Sequence, residues 1–320
     1  MSAAASRESR TALTQLLIAE ILIGSVGVFA HEGGQDSITT VFFRCVFGSL
    51  FLIVWGIARG HFRGLLAERA LIKAAIVSGV LLVLNWVALF AGMARSSISV
   101  ATLVYHFFPF AMLGLAALCF GERTRPADYG WTALAFIGVA LSADPFKLVG
   151  TADANYLIGV GLTFIAAVLC GASLLLSRRI SRDRPFAVVL IQCLTGAAML
   201  APFARYVPIA HAGPHWFWLA GLGLIHSGIC YVLFYSAYPR LPVVTIAVLA
   251  FVYPVVALLL DFLLYGHALG PVQWAGVALI VLGTLGVNLK WRWTRGKEVV
   301  AAPGVIAAMT NESASSATAQ

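Results

Sequence analysis

Ionisable side chains are rare inside long apolar runs, yet this chain carries five there: Glu20, Arg44, His106, His226 and Asp261. Such a group at membrane depth costs a few kcal/mol on insertion scales, so it faces a partner or a watery cavity. Glu20 lies mid-way along the first run and Arg44 within the second. The two could form an ion pair that spares both charges. Glu20 suits a gating role, and Arg44 reads as a helix–helix clamp. His106 stands in SSISVATLVYHFFPF, residues 96–110, beside Tyr105 and three residues before Pro109. On a helix Ser99, Thr102, His106 and Pro109 share one stripe, because three- and four-residue steps return to one face. His106 could bond a bound solute or carry a proton near neutral pH. The plainer reading is a histidine bonded to a nearby hydroxyl or carbonyl. His226, between Gly223 and Gly228, is either a second midplane polar group or part of a tight packing site. Asp261 lies near the end of its run, where water reaches it, and is given no central role.

Aromatic side chains accompany these groups: Trp86, Tyr105, Tyr231, Phe234, Tyr235, Phe251 and Tyr253. Aromatic stripes in membrane helices commonly serve packing or lipid contact. Trp86 and Tyr105 lie deep and each carries a polar atom that needs a partner. Asn85 adds an amide beside Trp86. The pattern suits a cavity with aromatic walls and a few polar handles. The substrate-binding candidates are therefore Asn85, Trp86, Thr102, Tyr105, His106, His226, Tyr231, Tyr235, Phe251 and Tyr253. Glu20, Arg44, Pro109 and Pro254 are the gating or structural candidates. Each proline removes a backbone bond one turn earlier, which makes either a moving bend or a static kink.

The elements that hold these residues must be membrane helices. Of 320 residues, 61% are hydrophobic and 11% charged, and mean hydropathy is +0.93. A soluble domain is about one-quarter charged. The formal net charge of +8 does not signal nucleic acid, because the basic residues lie between apolar runs and no basic segment carries base-stacking aromatics. The five cysteines sit inside apolar runs without a CxxC pair, so they read as small packing residues. No metal or other cofactor is expected. HExxH, GxSxG and Walker motifs are absent from the sequence, which argues against a membrane-embedded enzyme. No short cleavable leader stands at the start, so the first run is expected to remain as a helix.

Runs long enough to span a bilayer, at about 20 residues each, fall at roughly 11–30, 38–58, 71–92, 96–120, 128–144, 155–177, 186–203, 216–238, 242–264 and 271–290. Seventeen of the 21 Lys and Arg fall on one side of this ten-span arrangement. Arg95, Lys147 and Arg205 fall on the other, and Arg44 lies within a span. The positive-inside rule then puts both termini in the cytoplasm. Trp55, Trp131, Trp216, Trp218, Trp274, Trp291 and Trp293 lie near span ends, as an interfacial belt requires.

A shift of 145 residues sets Arg95 on Arg240, Pro109 on Pro254, Gly121 on Gly266, Pro126 on Pro271 and Gly138 on Gly283. Near a shift of 148, Cys45 and Gly48 meet Cys193 and Gly196. Each half holds five spans. An odd number makes the second copy enter from the opposite face, which is an inverted repeat of the kind transporters use. The expected organisation is a cytoplasmic N-terminus (1–10), two five-helix repeats (11–145 and 146–291) and a disordered cytoplasmic tail (292–320).

The stretch PFAMLGLAALCFGERTRPADYGWTALAFIGVAL (109–141), its copy PVVALLLDFLLYGHALGPVQWAGVALIVLGTLGV (254–287) and the arginine in TTVFFRCVFGSLFL (39–52) resemble the drug/metabolite transporter superfamily with two EamA-type domains. Where the first copy has Gly121-Glu122 the second has Gly266-His267, a departure from the pattern. The resemblance implies an all-α protein of ten transmembrane helices and export of small metabolites. Within the superfamily, NWVALFAGMA and YHFFPF are most similar to bacterial inner-membrane exporters of aromatic amino acids. The expected partners are a small-molecule substrate and the lipid bilayer, with no nucleic acid, and the chain is expected to act as a monomer. Broad drug and metabolite efflux with proton exchange is the alternative.

Overall fold

A computed structural model describes residues 3–96, 98–122, 124–142, 154–205, 213–265 and 270–291. The side chains of Ser99 and Asp261, the Gly266-His267 step and the tail at 292–320 lie outside what is described. Every regular element among the described residues is helical. The first half holds α1 (Ala3–Ile23), α2 (Val26–Glu32), α3 (Ser37–Arg59), α4 (Arg69–Arg95), α5 (Ile98–Tyr105), α6 (Phe108–Phe120) and α7 (Pro126–Ser142). The second holds α8 (Ala154–Ile180), α9 (Pro185–Leu200), α10 (His215–Gly221), a π-helical turn (Leu222–Ile229), α11 (Cys230–Ala237), α12 (Val243–Leu249), α13 (Val252–Tyr265) and α14 (Pro271–Asn288).

The protein is a multi-pass membrane protein. Eight helical segments among the described residues are long and apolar enough to cross a bilayer. The seventh expected span is occupied by the shorter apolar α9, of 16 residues, and the fifth by α7, of 17. Large apolar side chains point outward around the bundle. Val54 is 72% exposed, Leu118 85% and Leu263 71%. In water such surface would be a liability, whereas hydrocarbon tails cover it.

Local sequence sets the helix ends. Asp36 caps α3, its Oδ1 accepting from the Ile38 and Thr39 amides at 3.1 Å each and its Oδ2 from the Thr39 hydroxyl at 2.8 Å. α3 ends at Gly60 and α6 at Gly121, both in the left-handed region at φ +66° and +64°, where glycine alone carries no steric penalty. Pro126, Pro185 and Pro271 open α7, α9 and α14, where a missing N–H costs nothing.

Three expected spans are interrupted. The first breaks at Gly24-Ser25, between α1 and α2. The fourth and ninth are not continuous helices either. α5 gives way to α6 at His106-Phe107, and α12 gives way to α13 at Ala250-Phe251. Pro109 and Pro254 follow these breaks by two or three residues. A proline cannot donate to the carbonyl four residues back, and both chains tighten there into three-residue bonds, Phe107 N to Val104 O and Phe251 N to Val248 O. The breaks occupy equivalent places in the two copies.

The repeat is visible in atomic contacts. A Cβ at Gly138 would meet the Gly276 carbonyl and Ile280; a Cβ at Gly283 would meet the Trp131 carbonyl and Ala135. Adding 145 turns Trp131 and Ala135 into Gly276 and Ile280. α7 and α14 therefore exchange the same contact in opposite directions, and they run antiparallel. The same exchange joins α3 to α9. Gly48 faces the Cys193 sulfur and Gly196 faces the Cys45 sulfur. Copies that meet their own equivalents in antiparallel fashion are related by a two-fold axis in the membrane plane. The halves also interlock. α4 packs on α8 and α9, α3 on α9 and the π-helical turn, α1 on α11, and α6 on α8. Each of these pairs joins one half to the other, so the sequence repeats are not two separable bundles.

Two outcomes follow for stability. Gly138→Leu forces bulk into a backbone contact, so it should lower the midpoint of thermal unfolding in detergent by the equivalent of about 1–3 kcal/mol. Burial works to raise the Asp36 carboxyl, but the Thr39 hydroxyl and amide, Arg205 and the Ile38 amide outweigh it and hold its pKa below the ordinary 3.8. Its cap is therefore intact at neutral pH and is lost as pH falls through that depressed value. Asp36→Asn should leave a stability gap to wild type that is flat from pH 7 to about 4 and shrinks below that.

Candidate functional site

The site lies where broken helices and cross-repeat contacts converge. α3 supplies Arg44, which is 2% exposed. Its Nε donates to the Ser227 hydroxyl at 2.7 Å and its Nη2 to the His226 carbonyl at 3.4 Å. The guanidinium carbon lies 4.0 Å from the Trp86 ring centroid and 5.9 Å from that of Tyr231. Two aromatic faces thus take the cation, a favourable contact when desolvated. Trp86 Nε1 donates to the Tyr231 hydroxyl at 3.2 Å, and the two rings meet edge-on at 5.4 Å. Trp86 and Tyr231 are themselves repeat equivalents at the shift of 145. Two of the aromatic candidates, Trp86 and Tyr231, thus touch each other.

The ion pair between Glu20 and Arg44 that sequence allowed is not formed. The ion pairs among the described residues do not include it, and the Glu20 carboxylate accepts no hydrogen bond there. Arg44 turns instead towards neutral partners on the π-helical turn. Glu20, 5% exposed, lies on α1 within electrostatic reach of Cys170, Cys230, Tyr238 and Tyr253.

Beside this pair lies a second group. His106 ends α5 fully buried, its Nδ1 bonded to the Thr102 carbonyl at 2.6 Å. That is the plainer bond weighed for it, made to the backbone and not to the Thr102 hydroxyl. Its ring stacks on Tyr253 at 5.2 Å and on Phe251 at 6.1 Å. Phe251 is the repeat equivalent of His106, so the two break points meet each other. His106 Nε2 and both polar atoms of the Asn85 amide are buried without a partner. Tyr105 lies beside Asn85 and Cys170, outside bonding geometry for the amide. Unsatisfied groups of this kind cost about 1–3 kcal/mol each. They are the polar atoms that a solute in the site could bond.

Two candidates fall outside this centre. The His226 ring turns away to the break between α1 and α2, bonding the Ser25 hydroxyl at 2.9 Å and packing edge-on against Phe29. Its backbone touches Arg44; its side chain is a packing element. The Tyr235 hydroxyl donates to Gln192 Oε1 at 2.8 Å. Gln192 then donates to the Ser78 and Ser177 hydroxyls, which lie 2.7 Å apart, and Ser173 donates to the Ser78 carbonyl at 2.9 Å. This seam joins α4, α8, α9 and α11. Sequence reading missed it, although the shift of 148 that matched the cysteines also sets Arg44 on Gln192. The two are equivalent polar anchors, one charged and one neutral.

On the basic side of the bundle, ion pairs join the halves. Arg178 binds Glu122 at 2.6 Å and also donates to the Tyr238 and Leu241 carbonyls. Arg184 binds Glu68 at 2.6 Å, and Arg240 lies 3.3 Å from Glu8. At the opposite end, Arg205 and Asp36 stand 3.9 Å apart.

The comparisons with known proteins bear on the family and the fold. The EamA-like transporter family profile matches residues 10–143 and again 157–289. A Bacillus subtilis (strain 168) protein named as an uncharacterized transporter, YxxF, is 28% identical over 302 residues, covering 93% of this chain and 95% of its own. Protein RarD of Streptomyces exfoliatus is 26% identical over 300 residues, covering 91% and 89%. A crystal structure that is 22% identical superposes with a TM-score of 0.77 over 89% of this chain and 98% of its own, a likeness of fold.

Replacing Gln192 with Leu strands the Tyr235 hydroxyl and leaves the Ser78 and Ser177 hydroxyls only each other in an apolar seam. Thermal unfolding should report a loss of about 1–3 kcal/mol, with Tyr235→Phe in the same background restoring part of it.

Proposed function

The chain belongs to the EamA-like transporter family, and we propose that it is a secondary transporter exporting small amphipathic metabolites, amino acids with aromatic ones among them, by alternating access. The observation that carries this reading is the buried centre on the two-fold axis. There Arg44, Trp86 and Tyr231 stand beside the unpartnered atoms of Asn85 and His106. A site of apolar walls and a few fixed polar groups fits solutes that are part apolar and part polar. The substrate handles are Asn85, Trp86, Tyr105, His106, Tyr231 and Tyr253. Thr102 contributes by orienting His106 through its carbonyl.

The paired breaks at Pro109 and Pro254 are the flexing points in this reading. Because the halves interlock, the moving bodies mix helices from both copies. The ion pairs on the basic side would close that end while the other opens. The protein would sit in a bacterial inner membrane with both termini in the cytoplasm and act as a monomer.

Flux of labelled amino acids into proteoliposomes tests this. Trp86→Ala and His106→Ala should each lower transport at least about tenfold, with normal insertion and yield. Wild-type rates in both variants would remove the site from the mechanism. An imposed pH gradient tells facilitated diffusion from proton exchange, the second reading, which the buried Glu20 favours.

A further inference from the structure

At the basic end of the bundle Arg178, Arg184 and Arg240 each meet a carboxylate. Arg59 and Arg63 form no ion pair among the described residues, and both line an open groove of about 530 Å³. Arg59 is the last residue of α3, and Gly60 turns the chain there at φ +66°. The Arg63 side chain folds back over that turn, so that a Cβ at Gly60 would lie 3.5 Å from Arg63 Nε. Phe62 lays its ring on Gly56, one turn earlier in the helix. The second copy holds this loop in shape. Arg184 donates to the His61 and Arg63 carbonyls at 3.4 and 2.9 Å and binds Glu68, and the His61 ring stacks on Phe186 at 4.3 Å. The Arg59 guanidinium carbon lies 5.0 Å from the Trp55 ring centroid. Such a contact orients the cation and leaves the N–H donors at its edge for a ligand.

The surface beneath the groove points to the ligand. Leu50, Val54 and Ile57 are 53%, 72% and 69% exposed, and their four- and three-residue steps set them on one face of α3. Ile57 also lines the groove. A stripe that faces hydrocarbon therefore runs into a pair of cations at the interface, where Trp55 sits as belt aromatics do. We propose that this groove binds one anionic phospholipid, its phosphate held by Arg59 and Arg63 and an acyl chain lying along Ile57, Val54 and Leu50. Two guanidinium groups can share a phosphate through several charge-assisted bonds. No carboxylate lines the groove to draw the ammonium of a zwitterionic headgroup. The site stands fifteen residues along α3 from Arg44, about 22 Å at the rise of a helix, and does not depend on which solute the centre takes. Because Arg184 ties the loop to the start of α9, a bound lipid braces the two copies against each other at this end.

Native mass spectrometry of the full-length protein in detergent tests this, with phosphatidylglycerol and phosphatidylcholine of the same acyl chains as probes. The first phosphatidylglycerol should bind about tenfold more tightly than the first phosphatidylcholine. Arg59→Gln combined with Arg63→Gln should cut that preference to within about twofold. Both side chains are exposed, so the unfolding midpoint without lipid should stay at the wild-type value. Should the double variant be unstable, Arg63→Gln alone decides, with a loss of about threefold expected. Lys73→Gln combined with Arg182→Gln removes the same charge from other exposed positions at this end and should keep the preference. Inorganic phosphate should not displace the lipid. No preference in wild type, or one that survives the loss of Arg59 and Arg63, would overturn the assignment. An equal fall in the Lys73 and Arg182 variant would overturn it too, as diffuse attraction of charge. Displacement by inorganic phosphate would show an anion site without a lipid and remove the phospholipid as its occupant.

Discussion

Hydrocarbon offers a polar atom nothing to bond to, and the architecture follows from that constraint. It makes every spanning element a helix. It allows a helix to break only where protein covers the break, as at His106-Phe107 and Ala250-Phe251, which pack against each other across the two-fold axis. It also sends Arg44 to a hydroxyl, a carbonyl and two aromatic faces. The same solvent gives no hydrophobic drive to bring helices together, so close contact between small residues has to do it. Gly138 and Gly283, and Gly48 and Gly196, supply that contact in symmetric pairs.

The symmetry belongs to the scaffold and not to the chemistry. Arg44 has Gln192 as its equivalent, and His106 has Phe251. One copy carries the arginine and the histidine; the other carries an amide and a phenylalanine at the equivalent positions. The Gln192 seam holds four helices in a fixed arrangement, while the Arg44 group leaves donors and acceptors unused. The interlocked packing reinforces this, since α4 and α8 belong to different copies and yet form one of the main contacts.

Much of this was legible in the residues. Hydropathy marked a helical membrane protein, though not a confirmed count of ten spans, and matching prolines and glycines marked the repeat, because those residues hold backbone positions that side-chain drift does not erase. Trp86, Tyr105 and His106 stand out by depth and residue type, but that Trp86 meets Tyr231 and His106 meets Tyr253 is visible only in the structure. The partners were harder to read. Opposite charges at similar depth suggested that Glu20 and Arg44 would meet, but depth says nothing about which way a helix face turns. Spacing leaves His226 open between a midplane polar group and a packing site, and only the structure shows its ring on Ser25 and Phe29. Gln192 and the serines of its seam escaped notice because single neutral polar residues in a membrane helix are common, and only the third dimension gathers them.

The bond between Arg44 and Ser227 bridges 183 residues of sequence. A ribosome adding about 5–20 residues each second needs roughly 10–40 s to make that length. During that interval the helix bearing Arg44 exists without the π-helical turn that will satisfy it. The newborn first half must keep its arginine near lipid headgroups, in the translocation channel or against a chaperone. The bond forms only once the π-helical turn has been made, so the second copy completes a contact that the first copy leaves open.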